Sequence, residues 1–319
     1  MNLKEIFRKQ GGFELIKQYY RGGALFTACV EFILLGKKKK ALEILRLSAE
    51  YKTKRKLEKK YYNKLVKAEK LYDNTAEKIK SDYVWICWFQ GLENAPDLVK
   101  KCIQSVKDNL QDRTIVIITE NNMYDYVKLP SYIIDKWKKG IITYTHMTDI
   151  LRLELLLSYG GTWIDATVLC TDKSENIPNY FFDSELFFFQ TLKPGRDGIS
   201  IFVSSWFISA WTNNKVLWLT RELLYNYWKE SNCMVNYFLL HYFLCMVLEY
   251  CKDEWDKMIP RDNSTPHILL LRLFDTYDKK MYQAITEQTP FHKLSYKFSP
   301  EELKKESTFY QILMKEDID

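Results

Sequence analysis

Residues 147–158 form an almost unbroken apolar run, which predicts a helix that is buried on nearly every side. Asp149 and Arg152 interrupt this run, and because they are three residues apart they occupy neighbouring positions on the helix. One interpretation is an ordinary surface ion pair. The other is a polar site, which the apolar remainder favours because Glu154 is the only further charge in the run.

The residues after this helix predict a sharp corner followed by a short strand. Gly160 and Gly161 suit the left-handed backbone that ends a helix and reverses the chain. Residues 162–164 then start a β-type run, and Asp165 follows near its end. An acid at the exit of a buried strand, beside the Asp/Arg pair, predicts a site for a polar ligand with phosphates. The alternative is an acid that caps the next turn.

Other apolar segments of the strand type alternate with helical patterns, and a turn at residues 193–198 separates the last two of them. These segments are residues 83–88, 114–119, 141–144, 186–190 and 199–210. The alternation predicts an α/β fold with a mostly parallel central sheet, and a nucleotide at the carboxyl ends of the strands.

The N-terminal part has a different pattern. Residues 23–36 are apolar but too short to span a bilayer, which takes about 20 residues, and four lysines follow directly. Residues 41–80 show a helical pattern, so we expect one or two long helices. The apolar run either packs as an ordinary helix or lies on an anionic membrane surface. We therefore predict a basic helical arm at residues 1–80 and a main domain at residues 81–319.

The distribution of charge separates the same two parts. Residues 1–70 hold 19 Lys/Arg and 7 Asp/Glu, a net of +12, whereas the remaining residues hold 28 and 34, a net of −6. Because the main domain is mildly acidic and contains no recognised nucleic-acid module, we expect no nucleic-acid partner. The seven cysteines lack CxxC spacing, which indicates reduced thiols in the cytoplasm and no structural zinc.

A family resemblance rests on the central stretch. The residues T-D-x-x-R at positions 148–152 and G-G-x-W-x-D-x-T at positions 160–167 resemble the signature of the DXD-sugar-binding glycosyltransferases. They are most similar to the bacterial capsular polysaccharide synthesis proteins, and more distantly to the initiating mannosyltransferases and the clostridial glucosylating toxins. The similarity extends from residues 84–91 to residues 291–297. It implies a GT-A-like nucleotide-binding fold.

The resemblance also implies roles for individual residues. Asp165, Asp149 and Arg152 would be catalytic and would hold the donor sugar. The implied donor site further includes Trp88, Phe89, Gln90, Gly91, Gly160, Gly161, Lys293 and Lys297. Trp88 would stack on the nucleobase, although a core tryptophan is the alternative.

The resemblance implies a divalent cation, Mn²⁺ or Mg²⁺, with Asp165 and His292 as its ligands. Position 167 departs from the family pattern, since Thr167 stands where the motif has its second aspartate. A hydroxyl cannot replace a carboxylate as a charged ligand. Either Asp165, His292 and the diphosphate hold the metal with water, or donor binding is weaker and partly independent of metal.

The function implied by the resemblance is that of a hexosyltransferase. It would move a sugar from a nucleotide-sugar donor, UDP-linked and with retention, to a lipid-linked oligosaccharide in capsular or exopolysaccharide synthesis. We expect it in the cytoplasm, peripheral on the inner face of the cell membrane. The alternative is a non-catalytic scaffold that keeps the fold and binds glycan or partner enzymes, and Thr167 is the residue that favours it.

Overall fold

The computed structural model describes residues 12–192 and 199–315; the start of the predicted arm and the predicted turn at residues 193–198 lie outside them. Seven strands occur in the described ranges, and five of them form one sheet with the order β2-β1-β3-β6-β5. The strands are β1 (Tyr83–Cys87), β2 (Thr114–Ile118), β3 (Gly161–Ile164), β4 (Val168–Cys170), β5 (Leu186–Gln190), β6 (Val203–Ala210) and β7 (Phe291–Lys293).

Helices precede the sheet, cover it and follow it. Three lie before β1: α1 (Phe13–Gly22), α2 (Leu25–Leu35) and α3 (Lys39–Glu69). Four lie between β1 and β3: α4 (Asp97–Asn109), α5 (Met123–Tyr126), α6 (Ser131–Lys138) and α7 (Tyr144–Tyr159). The rest are α8 (Tyr180–Asp183), α9 (Lys215–Glu230), α10 (Leu239–Tyr250), α11 (Lys252–Asp256), α12 (Ile268–Arg272), α13 (Lys279–Thr286), α14 (Pro300–Leu303) and α15 (Phe309–Lys315).

The α/β class is confirmed, but the sheet is mixed and not mostly parallel. Strand β1 is parallel to β2 and to β3. Strand β6 is antiparallel to both of its neighbours, β3 and β5. Strands β5 and β6 are consecutive in the chain, and their antiparallel pairing extends the sheet beyond β3.

The strand predicted at residues 141–144 is wrong, because this segment leads into helix α7. The Thr143 side chain accepts a hydrogen bond from the backbone N–H of His146, which is the geometry of a helix N-cap. Eleven of the sixteen residues of α7 are buried. The sequence pattern therefore predicted this helix correctly, and it passes through the core between the sheet and α9.

Two consecutive glycines connect α7 to the sheet. Gly160 has φ 67° and Gly161 has φ 91°, both in the left-handed region. A Cβ atom on Gly161 would lie 2.3 Å from the carbonyl oxygen of Tyr83, the first residue of β1. Glycine is therefore required here for β3 to approach β1.

The N-terminal helices are anchored through α3. Its residues Leu57, Tyr61, Leu65 and Ala68 belong to the same buried cluster as α7, α9 and α10. Helices α1 and α2 pack mainly against α3 and against each other. Among the helices that the structure describes, none is long and apolar enough to cross a membrane.

The close contact between Gly161 and the backbone of Tyr83 predicts how a substitution at Gly161 affects stability. Gly161→Ala should lower the free energy of unfolding by about 3 kcal/mol or more, because it adds a backbone clash to the strain of a left-handed alanine. Gly140→Ala is the matched control, since Gly140 has φ 69° but a Cβ added there would meet no atom of the described residues within 4 Å. Gly140→Ala should lower the free energy of unfolding by only about 1 kcal/mol. Urea denaturation measures both, and equal losses would contradict the close-approach explanation.

Candidate functional site

A cleft of about 440 Å³ opens at the carboxyl ends of β1 and β3, where a ligand is expected in an open α/β sheet. Four segments supply most of its lining: the loop after β1, the first half of α7, the residues that follow β3, and the residues from Lys293 to Lys297. Its volume lies in the usual range for small-molecule sites. The structure thus brings together segments that are far apart in the sequence.

Asp165 lies at the centre of the polar side of the cleft. Its backbone N–H donates to the carbonyl of Trp206, 2.8 Å away, which fixes the residue just beyond β3. Its carboxylate accepts hydrogen bonds from Trp163 Nε1 at 2.9 Å and from Lys293 Nζ at 2.8 Å, and Arg152 Nη2 lies 3.4 Å away. The side chain is 26% exposed, so the carboxylate can still be reached from the cleft.

These contacts determine the charge of Asp165. Burial alone would raise the pKa of this carboxyl group. The positive charges of Lys293 and Arg152, with the hydrogen bonds from Lys293 and Trp163, outweigh burial and hold the pKa below its ordinary value. Asp165 is therefore ionised at neutral pH.

Arg152 crosses the floor of the cleft. Its Nη1 donates to the carbonyl of Ser205 at 2.7 Å, and its guanidinium lies 4.8 Å from the centre of the Trp163 ring. Asp149, one helical turn earlier, pairs with Arg152 at 3.4 Å. Both side chains are almost fully buried, which excludes the surface ion pair. A buried cation of this kind needs its carboxylate partners.

A histidine that lies outside the cleft contacts the carboxylate of Asp149. His146 Nδ1 lies 3.1 Å from Asp149 Oδ2, and its ring packs against Trp228. His146 is buried and does not line the cleft. Asp149 therefore orients Arg152, while one edge of Asp149 still borders the cleft.

The two-stranded ribbon of β4 and β7 separates the predicted residues Lys293 and His292. Lys293 points to the cleft, where its ammonium contacts Asp165 and Thr167. His292 pairs with Leu169 on the neighbouring register position, and its Nε2 lies 3.1 Å from the hydroxyl of Thr171. It is fully buried, does not line the cleft, and burial lowers its pKa to about 4. The structure thus does not bring His292 to Asp165.

The loop after β1 forms the side of the cleft predicted to hold the nucleobase. Trp88, Phe89 and Gln90 all line it. Trp88 packs edge-on against Tyr296 at 5.4 Å and is half-buried, whereas Phe89 is buried against Trp137. Trp88 is therefore placed to contact a ligand, and Phe89 mainly supports the loop.

The predicted glycines do not line the cleft. Gly91 has φ 81° and forms the turn after Gln90. Gly160 and Gly161 lie at the start of β3, at the opposite end of the strand from Asp165. Their contribution is to position β3, so their predicted role in contacting the donor has no support in this geometry.

The residues of the cleft wall that sequence reasoning missed include Tyr237 and His241, which lie just before α10 and in its first turn. Burial lowers the pKa of His241 to about 4, so its imidazole is neutral, and its Nδ1 atom has no hydrogen-bond partner among the described residues. Burial, followed by the charges of Asp149 and Asp165, raises the pKa of Tyr237. No local signal in the sequence distinguishes a residue of the cleft wall from a core residue at these positions.

The polar side chains of the cleft balance to a small positive charge. Arg152, Lys293 and Lys297 supply three positive charges, and Asp149 and Asp165 supply two negative ones. Within residues 12–192 and 199–315, no group of three or more His, Cys, Asp or Glu side chains is arranged to hold a metal ion. The cleft is thus suited to an anionic ligand that also carries hydroxyl groups.

The comparison with family models agrees with the sequence motifs. Residues 36–313 match the family model described as capsular polysaccharide synthesis protein. Among solved structures, the chain is distantly similar to one described as PaToxG Glycosyltransferase, with a TM-score of 0.38 and 15% sequence identity over 83% of this chain and 96% of that one. The comparison with curated proteins finds no match. Because the family model covers most of its length, the chain belongs to the capsular polysaccharide synthesis protein family.

Proposed function

We propose that this protein is a glycosyltransferase that moves a hexosyl group from a nucleotide-sugar donor to a lipid-linked glycan during capsular polysaccharide synthesis. The observation that carries this proposal is the convergence of Asp165, Arg152 and Lys293 beyond β3. A nucleotide sugar combines a diphosphate, which needs positive charge, with hydroxyl groups, which need acceptors. These three side chains offer both within one small cleft.

The cleft suggests how the donor lies. The nucleobase would contact Trp88, and the diphosphate would lie toward Lys293 and Lys297. Asp165 would accept hydrogen bonds from ribose or sugar hydroxyls, because its ionised carboxylate reaches the cleft. Preorganised charges of this kind stabilise a departing diphosphate without rearrangement.

The proposal extends to a UDP-sugar and to retention of the anomeric configuration, both of which the family resemblance supports. Calorimetric titration with UDP-, GDP- and CMP-sugars, with and without Mn²⁺, would identify the nucleotide. Proton NMR of the freshly formed product would identify the anomer. A donor other than UDP, or an inverted product, would change these details and leave the transferase proposal in place.

A non-catalytic scaffold is the second candidate, and Thr167 favours it because the motif loses a carboxylate there. One simple measurement distinguishes the two candidate functions. A transferase hydrolyses its donor slowly in the absence of acceptor, whereas a scaffold releases no nucleoside diphosphate.

The first functional prediction concerns Asp165. Asp165→Asn keeps the volume and removes the charge that faces Lys293 and Arg152, so donor turnover should fall by about 100-fold or more. Release of nucleoside diphosphate from the donor measures this. Asp256→Asn, an exposed acid on α11, is the control and should leave turnover unchanged. Near-normal turnover in Asp165→Asn, with its fold intact, would reject the proposed site.

We also propose that the N-terminal helices hold the protein on the cytoplasmic face of the cell membrane, where a lipid-linked acceptor is found. Helix α2 exposes Phe26, Ile33 and Leu34 at 81%, 79% and 76%, and these residues lie on one face. Helix α1 likewise exposes Phe13 and Tyr20. Several large apolar side chains exposed on two adjacent helices are typical of a binding surface.

Positive charge lies near both ends of helix α2. Residues 37–40 are four exposed lysines at the junction between α2 and α3. An open hollow beside the α1–α2 turn is lined by four basic side chains of α3 and one acidic one: Lys52, Arg55, Lys56, Lys59 and Glu58. Apolar side chains flanked by lysines favour the surface of an anionic bilayer over a protein partner.

The second functional prediction tests this surface. The triple variant Phe26→Ser, Ile33→Ser and Leu34→Ser should bind phosphatidylglycerol vesicles at least about 10-fold more weakly, because each serine removes apolar area from the bilayer. Wild-type binding should also weaken as salt rises, since charges are screened within about 10 Å at 0.1 M. Vesicle co-sedimentation measures both effects.

The control for this experiment is Leu271→Ser, which removes an equally exposed leucine from α12. It should bind vesicles as the wild type does. Vesicle binding that is insensitive both to salt and to the triple variant would mean that α1 and α2 serve only as structural helices.

A further inference from the structure

The ammonium group of Lys293 occupies a defined position at the end of β3. It lies 2.8 Å from Asp165 Oδ2 and 2.6 Å from the hydroxyl oxygen of Thr167. The β4–β7 ladder fixes this position, because Lys293 pairs with Val168 and the N–H of Leu294 donates to the carbonyl of Thr167. The lysine thus bridges the two positions that the DXD pattern assigns to its carboxylates.

The side chains around this ammonium do not fit a divalent cation. Asp165 is the one carboxylate in the described part of the chain that contacts it directly, and Asp165 is already paired with Lys293 and Arg152. Both oxygens of Asp149 are engaged, one by His146 and one by Arg152. Thr167 offers a neutral hydroxyl, whereas Mg²⁺ and Mn²⁺ prefer charged carboxylate oxygens. A divalent ion at Asp165 would have to displace one positive charge while facing a second.

We infer that the ammonium of Lys293 takes the place of the divalent cation and binds the diphosphate of the donor directly. This inference rests on the proposed transferase function and concerns the same cleft. It assigns Lys293 and Thr167 as a matched pair. With threonine at position 167, the ammonium has one carboxylate partner and its third N–H is available to a phosphate oxygen.

An aspartate at position 167 would change the net charge around the ammonium of Lys293. Lys293 would then lie between two carboxylates, and the added negative charge would cancel the small positive charge of the cleft that attracts a diphosphate. A metal would be needed to restore attraction. Threonine at position 167 removes the second metal ligand. It therefore also leaves the charge of Lys293 less compensated, so that this charge can attract the donor.

The assigned role is electrostatic, and Lys293 takes no part in proton transfer. During transfer, the bond between the anomeric carbon and the diphosphate oxygen breaks, and its electron pair remains on that oxygen. The acceptor hydroxyl oxygen forms the new bond to the anomeric carbon, and its proton leaves with the diphosphate or through water. Lys293 compensates the charge that appears on the diphosphate, as a bound cation would.

The test is calorimetric titration of UDP into the full chain, in EDTA and in millimolar Mn²⁺. Wild-type protein should bind UDP with the same affinity in both. Lys293→Met should weaken binding by about 10- to 100-fold in both, the scale of one charge-assisted hydrogen bond. Lys293→Arg should retain most of the affinity, because it keeps the charge. Lys305→Met, an exposed lysine after α14, is the control and should bind as the wild type does.

The double variant Lys293→Met with Thr167→Asp supplies the positive test. It restores two carboxylates without the lysine, so its UDP affinity should be low in EDTA and rise with Mn²⁺. Thermal unfolding of each variant shows that it is folded.

Wild-type binding that requires Mn²⁺ would overturn the inference and leave the transferase proposal standing. The same holds if folded Lys293→Met binds UDP normally in EDTA. No binding of UDP, GDP or CMP by the wild type in either condition would reject the proposed function itself, and the Lys293 assignment with it.

Discussion

The close approach of Gly161 to Tyr83 is the constraint on which the geometry of the cleft depends. With a Cβ-to-oxygen distance of 2.3 Å, no side chain fits between β3 and β1 at this point. The approach aligns β3 beside β1 and ends the buried helix α7 at the sheet, where Trp85 Nε1 donates to the carbonyl of Gly160 at 2.9 Å. As a result Asp165, four residues further along, emerges at the same edge as the loop of Trp88.

The second constraint is electrostatic. Burying Arg152 and Asp149 would cost several kcal/mol per ion without partners, and the structure compensates this by alternating the signs of charge from Asp149 through Arg152 and Asp165 to Lys293. A row of buried charges contributes little to stability by itself, because apolar residues would fill the same space at a lower desolvation cost. Charged networks of this kind, next to a cleft, are typical of functional sites.

Local patterns predicted part of this arrangement. The helix at residues 147–158, the glycine corner and the acid after the strand were all readable, because burial and chain reversal leave strong signals in a short window. The approach of Lys293 to Asp165 was not, since it depends on the register of β7 against β4. In a strand neighbouring residues face opposite sides, so His292 and Lys293 are indistinguishable until their partner strand is known. The mixed sheet and the position of His241 likewise depend on tertiary contacts.

The most direct test of the account is a crystal structure of the protein grown with UDP and Mn²⁺, with data collected at the manganese absorption edge. The account predicts UDP in the cleft, with its base against Trp88 and its diphosphate within hydrogen-bonding distance of Lys293, and no anomalous peak beside Asp165. A nucleotide bound elsewhere, or a manganese ion between Asp165 and the diphosphate with Lys293 displaced, would contradict it.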